Sequence, residues 1–176
     1  MRTAKVPLAE PEHSGLGISI GRIILAILLI FLYFPFLKVH NYFSPIDHVN
    51  LAFHEGGHVL FGFFGEFLMM FGGTLMQLAI PIACAVHFLR HKSRLGFQLM
   101  AWWTGENLLN ISIYIADARR QELPLVAGGV HDWTYLLEQV GLLARNESVA
   151  KIAFFMGSLL ILYSVFVIVQ DVVRTK

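Results

Sequence analysis

Leu51-Ala52-Phe53-His54-Glu55-Gly56-Gly57-His58-Val59-Leu60-Phe61-Gly62-Phe63-Phe64 sets two histidines, one helical turn apart, in an otherwise apolar run. Residues four apart on a helix lie above one another on the same face, so His54 and His58 can reach a single metal ion. Glu55 then stands beside that ion, placed to take a proton from a water held there. Burying two imidazoles and a carboxylate among aliphatic and aromatic side chains is costly unless they are paired or bound to something. The stretch therefore predicts an apolar helix built around a metal centre, with zinc as the ion.

The surrounding chain has the composition of a membrane protein. Of its 176 residues 56% are hydrophobic and 14% charged, with a mean hydropathy of +0.64. A soluble domain carries about 25% charged residues. Several apolar runs approach the roughly 20 residues that cross a bilayer. The expectation is an all-α, polytopic membrane helical bundle with four to five spans, one of them a re-entrant helix bearing the histidine motif. Residues 1–176 then form a single membrane-embedded domain, with 1–17 as a flexible tail and 118–150 as an extramembrane connection. The lipid bilayer is the expected partner. A net charge of +1, with no basic patch interleaved with aromatics, argues against nucleic acid. Cys84 is the one cysteine, so it forms no internal disulfide, and in its apolar segment it reads as a buried thiol.

Taken in order, Ile18–Leu37 is the first spanning candidate. Its apolar core is longer than a signal peptide's and continues into Tyr33-Phe34-Pro35, so a retained anchor is expected. Ser44-Pro45-Ile46-Asp47 has the form of a helix start, with Ser44 as N-cap, Pro45 at the first helical position and an early acid. The helix should continue to Phe64, carrying Asp47, Asn50, His54 and His58 as a polar stripe. Gly56 and Gly57 face elsewhere and admit a close neighbour. Gly65-Glu66 and Gly72-Gly73 interrupt the run, and Thr74–Leu89 resumes it as the next span. Leu95–Ala116 follows, with Glu106, Asn107, Asn110, Tyr114 and Asp117 recurring on one face. In the long connection, Leu136, Leu137, Val140 and Leu143 predict a short interfacial amphipathic helix capped by Asp132. Lys151–Val169 is the last span.

Basic residues near short loops mark the cytoplasmic side, which places Arg90-His91-Lys92-Ser93-Arg94 inside and residues 118–150 outside. The stretch 49–89 is too long for one straight crossing of about 20 residues. A helix that dips into the membrane and turns back near the glycines resolves this. Eight basic residues (Arg2, Lys5, Arg22, Arg90, Lys92, Arg94, Arg174 and Lys176) then lie inside against five outside. Five full crossings would leave six inside against seven. The dipping arrangement also brings the His54 helix and the His131 loop to the same side of a plasma or inner membrane.

A catalytic zinc takes three protein ligands and keeps one position open. His131 is the first candidate for the third ligand, with the neighbouring Asp132 as a carboxylate able to fix its tautomer. Asp117 is the second. Asn107 and Asn110 can bind substrate, by holding an extended strand or donating to a developing oxyanion, or can tie helices together.

At His54-Glu55-Gly56-Gly57-His58, inside an apolar helix, the chain resembles the intramembrane zinc metallopeptidases of the site-2 protease type. The likeness covers about twenty residues around the motif. It implies zinc on His54 and His58, with Glu55 activating water to cut a peptide bond at or within the bilayer. That family draws its third ligand from an Asp in an Asn-Pro-Asp-Gly or Leu-Asp-Gly type motif, which this chain lacks; Asp117 is the nearest positional counterpart. The expected activity is a membrane-embedded zinc-dependent hydrolase, best read as a peptidase acting on a membrane peptide or amphiphilic substrate. The alternatives are a zinc-dependent amidase or esterase of lipids or small amphiphiles, and a non-enzymatic metal-binding scaffold.

Overall fold

The polar face expected on Leu95–Ala116 turns inward and makes that helix the axis of the fold. The computed structural model describes residues 15–39, 41–125 and 130–174. Most of the expected N-terminal tail, and Gly128-Gly129 in the long connection, lie outside them. Six α-helices follow in order among the described residues: α1 (Gly15–Lys38), α2 (Asp47–Phe61), α3 (Glu66–Arg90), α4 (Arg94–Asp117), α5 (Asp132–Gln139) and α6 (Asn146–Arg174). No strand occurs among those residues. The helices α1, α3 and α6 are long and apolar enough to cross a membrane.

Helix α4 buries Glu106, Asn107, Asn110 and Asp117 together with Leu109, Ile111 and Ile115. A helix buried this far round must be enclosed by its neighbours. It touches α6 backbone to backbone: a Cβ on Gly105 would lie 2.7 Å from the Gly157 carbonyl oxygen, and one on Gly157 2.6 Å from that of Gly105. Small residues at such a crossing let two helices approach closely. The Ser164 hydroxyl donates to the Gln98 carbonyl, and the Asn146 amide donates to the carbonyls of Ile115 and Ala116. Helix α1 lies outside α6. Its buried residues Ala26, Leu29, Tyr33 and Phe36 recur at three and four, and the Tyr33 hydroxyl donates to Ser158 at 3.0 Å. The opposite faces are bare hydrocarbon: Ile24, Ile27 and Phe31 on α1, Phe155 and Phe166 on α6, and Phe63 at the α2–α3 turn. Soluble monomers rarely carry apolar surface on this scale.

Contacts fix the height of α2 in the bundle. At about 1.5 Å per residue, Gln77 and Met69 lie about 20 and 32 Å from the α3 C-terminus, and Glu106 about 18 Å from the α4 N-terminus. The two helices are joined there by the short 91–93 turn. Asn50 bonds Glu106, His54 bonds Gln77 and His58 bonds Met69. Helix α2 therefore starts at mid-height and climbs toward the end where α3 begins. The non-helical segment 41–46 reaches mid-height at the Ser44–Glu106 contact, and α2 runs back from there.

Two expectations are corrected. Ser44 does not cap α2; its hydroxyl donates to Glu106 at 2.6 Å, and the Asp47 carboxylate instead accepts from the Ser44 N–H. Gly72-Gly73 does not interrupt the chain, because α3 runs through both. The break lies at Gly65, whose φ of +97° suits only glycine. Gly72 serves packing instead. A Cβ on Gly57 would lie 2.1 Å from the Gly72 carbonyl oxygen, so α2 and α3 meet without side chains between them. The expected close approach at Gly57 is present, while Gly56 faces open space.

Candidate metal centre

Helix α2 presents His54 and His58 toward α3, and the α3 backbone is hollowed to receive them. A Cβ on Gly73 would stand 2.7 Å from Nε2 of both imidazoles. The third donor comes from the first residue of α5. Asp132 Oδ2 lies 2.8 Å from His54 Nε2 and 3.1 Å from His58 Nε2. The ligand atoms of His54, His58 and Asp132 all lie within 4.8 Å of one another, so the three can hold a metal ion. Donors on a tetrahedral ion at about 2.1 Å are about 3.4 Å apart, so a few tenths of an ångström of opening admits one.

The outer bonds orient these ligands. His58 Nδ1 donates to the Met69 carbonyl at 2.8 Å, and His54 Nδ1 donates to Gln77 Oε1 at 3.2 Å. The Gln77 amide nitrogen donates in turn to Asn110 Oδ1 at 3.0 Å, which fixes which way the Gln77 oxygen points. With its proton on Nδ1, a neutral imidazole has only a lone pair at Nε2. Both lone pairs would then face a carboxylate oxygen. A cation among the three removes the conflict, and a ligating histidine bonded outward through its other nitrogen is the usual pattern at metal sites. Without a metal, a proton on an imidazole Nε2 plays the same part: burial raises the Asp132 carboxyl, but hydrogen bonds from His54 and His58 outweigh this and hold it at about 2, ionised in the form that binds a cation.

A cavity of about 270 Å³ opens beside the three donors. Glu55 and Tyr114 line it, with Leu51, Met70, Ile111 and Trp133 among its apolar walls. Glu55 makes no hydrogen bond or ion pair among the described residues. Asn110 borders this cavity and accepts from the Gln77 amide. Asn107 does not: it is fully buried and its amide donates to the Trp103 carbonyl.

The expected third ligands, His131 and Asp117, face each other instead. His131 Nδ1 accepts from the Thr134 N–H, capping α5, which leaves its proton on Nε2, 3.5 Å from Asp117 Oδ2. The Asp117 carboxylate also accepts the N–H groups of Glu122 and Leu123, both at 3.0 Å. These residues tie down the connection and thereby aim Asp132. The slip is a shift of one residue. A cap residue turns its side chain onto its own helix, so with His131 as cap it is Asp132 that is free to reach the histidines. A second group of polar residues was legible only as a stripe: Asp47, Asn50 and Glu106 bond one another and Ser44, and the Trp103 indole donates to Asn50. No protein-family model matches the chain, and neither a curated protein nor a solved structure matches it.

Proposed function

We propose that the protein is a membrane-embedded zinc hydrolase, a peptidase of the intramembrane kind, with His54, His58 and Asp132 holding the ion and Glu55 moving the proton. The observation that carries this reading is a set of three donors, each nitrogen-ligand bonded outward, beside a cavity of about 270 Å³. Two imidazoles and one carboxylate are a donor set found at catalytic zinc. Three protein donors beside open space also favour an enzyme over a closed structural site. When bound, zinc polarises the substrate carbonyl and makes a water acidic enough to react near neutral pH. Glu55 takes the proton from the attacking water and returns it to the leaving amine. The apolar walls at Leu51, Met70 and Ile111 accept a hydrophobic side chain flanking the cut bond.

In the membrane, α1, α3, α4 and α6 make four crossings, and segment 41–46 with α2 forms a re-entrant fifth element. Helix α4 can cross despite its polar residues because they face protein, and non-helical backbone at depth is tolerated where protein covers it. The chain is then multi-pass in a plasma or inner membrane, with the metal centre toward the outer side.

The test compares wild type with Glu55→Gln on a set of detergent-solubilised transmembrane peptides read by mass spectrometry. Wild type should cleave at least one peptide, and Glu55→Gln should keep its zinc while losing about 100-fold or more in rate. Equal cleavage by both would remove Glu55 from the chemistry. Turnover of lipid amides or esters with no peptide cleavage would move the activity to that class.

A further inference from the structure

Five buried side-chain atoms lack a hydrogen-bond partner among the described residues: Thr74 Oγ1, Gln98 Oε1, Trp102 Nε1, Asn107 Oδ1 and His131 Nε2. Of the residues that carry them, only Thr74 and His131 line the cavity. His131 Nε2 has the Asp117 carboxylate within 3.5 Å. Thr74 is 4% exposed, and its hydroxyl has nothing. A threonine inside a helix ordinarily donates to the carbonyl four residues back, as Thr104 does to Met100 on α4 at 2.8 Å. For Thr74 that acceptor is Met70, and the bond is not made. A buried hydroxyl left without a partner costs stability, so such a group calls for an explanation.

Its position supplies one. Thr74 directly follows Gly73, the residue whose missing side chain admits both Nε2 atoms. One turn on, Gln77 orients His54. We propose that Thr74 is a substrate-contacting residue: its hydroxyl donates a hydrogen bond to the oxygen of a carbonyl ligand bound at the metal centre. The proposal rests on the metallohydrolase reading, because it needs a metal with an open position. Unpartnered in the free protein, the donor is preorganised for an oxygen that arrives with the ligand and gains charge as the reaction proceeds.

The test uses full-length protein in detergent, loaded with cobalt(II) so that binding is seen in its visible spectrum, and acetohydroxamate as a small carbonyl-bearing metal ligand. Three proteins are compared: wild type, Thr74→Val, which keeps the shape and removes the hydroxyl, and Thr74→Ser, which restores it. All three should bind cobalt equally. Acetohydroxamate should bind Thr74→Val about five- to tenfold more weakly, the worth of one hydrogen bond, and Thr74→Ser within twofold of wild type. Metal-free Thr74→Val should melt no lower than wild type, since an unpartnered hydroxyl has been replaced by a methyl group. Equal hydroxamate affinity in all three proteins overturns the proposal. So does loss of cobalt or a lower melting temperature in Thr74→Val, which would make the residue structural. A wild-type protein that takes up no cobalt overturns the metal reading itself, a different failure seen before hydroxamate is added.

Discussion

Alanine in place of Gly73 strikes the metal centre while leaving every ligand in place. Its Cβ would lie 2.7 Å from His54 Cε1, His54 Nε2 and His58 Nε2, all on the metal-binding edges of the rings. Carbon and nitrogen that are not bonded prefer about 3.5 Å or more, so each ring must retreat by roughly 0.8 Å or the two helices must part. Metal–ligand distances tolerate only about 0.2 Å. The neighbouring contact of Gly57 with Gly72 prevents α2 from simply lifting away as a rigid body without losing its packing. Zinc affinity should fall about 100-fold or more, at least the loss expected when a ligand's outer support is removed. Helix propensity works the other way, favouring alanine over glycine by about 1 kcal/mol, so helical content should be kept. The assay is competition against a chromophoric zinc chelator in detergent, with circular dichroism as the folding control. Gly56→Ala is the matched control: a Cβ there meets nothing within 4 Å, and its zinc affinity should stay within twofold of wild type. Zinc binding by Gly73→Ala equal to that of wild type would refute the placement of the ion between these two nitrogens and α3.

Other substitutions separate ligation from support. Asp132→Asn should lose zinc by about 100-fold, whereas His131→Asn, which keeps a capping side chain for the Thr134 N–H, should retain one zinc per chain by elemental analysis; the reverse ranking would restore His131 as the ligand. Gly57→Ala forces a methyl group to 2.1 Å from the Gly72 carbonyl oxygen and should destabilise the α2–α3 pair by about 3 kcal/mol or more, read as faster proteolysis at the 62–65 turn. Zinc affinity should fall as the pH drops from about 7.5 to about 5.5, because each imidazole must shed its proton to bind; affinity that is flat across that range would argue against two histidine ligands. Glu106→Gln should melt within a few degrees of wild type, because Asn50 and Ser44 can still bond the amide, while Glu106→Ala, which strands Ser44 Oγ and Asn50, should cost about 2 kcal/mol or more.

The parts of this fold written in local pattern were legible. Apolar runs of spanning length gave α1, α3 and α6, and the four-residue spacing of His54 and His58 gave a shared face. The polar spacing on α4 gave its inward side. What failed depended on contacts far along the chain. Ser44 has the composition of an N-cap, yet its hydroxyl is taken by Glu106, 62 residues away, a partner no local rule anticipates. Gly72-Gly73 looks like a break because glycine weakens isolated helices, but here the missing side chains admit Gly57 and two imidazoles, and tertiary packing overrides propensity. Which residue of the connection meets His54 and His58 turned on whether α5 is capped by His131 or by Asp132, a one-residue boundary of the kind that pattern reading resolves least well. Thr74 carried no signal beyond its place after a glycine pair; only the absence of its Met70 bond picks it out.

X-ray absorption at the zinc edge of the purified protein tests most directly whether His54 and His58 share an ion. About one zinc per chain is expected, with two imidazoles and oxygen donors at about 2.0–2.1 Å, and the imidazole signal of His54→Ala reduced to one. A protein that carries no zinc, or a zinc shell without two imidazoles, would contradict it.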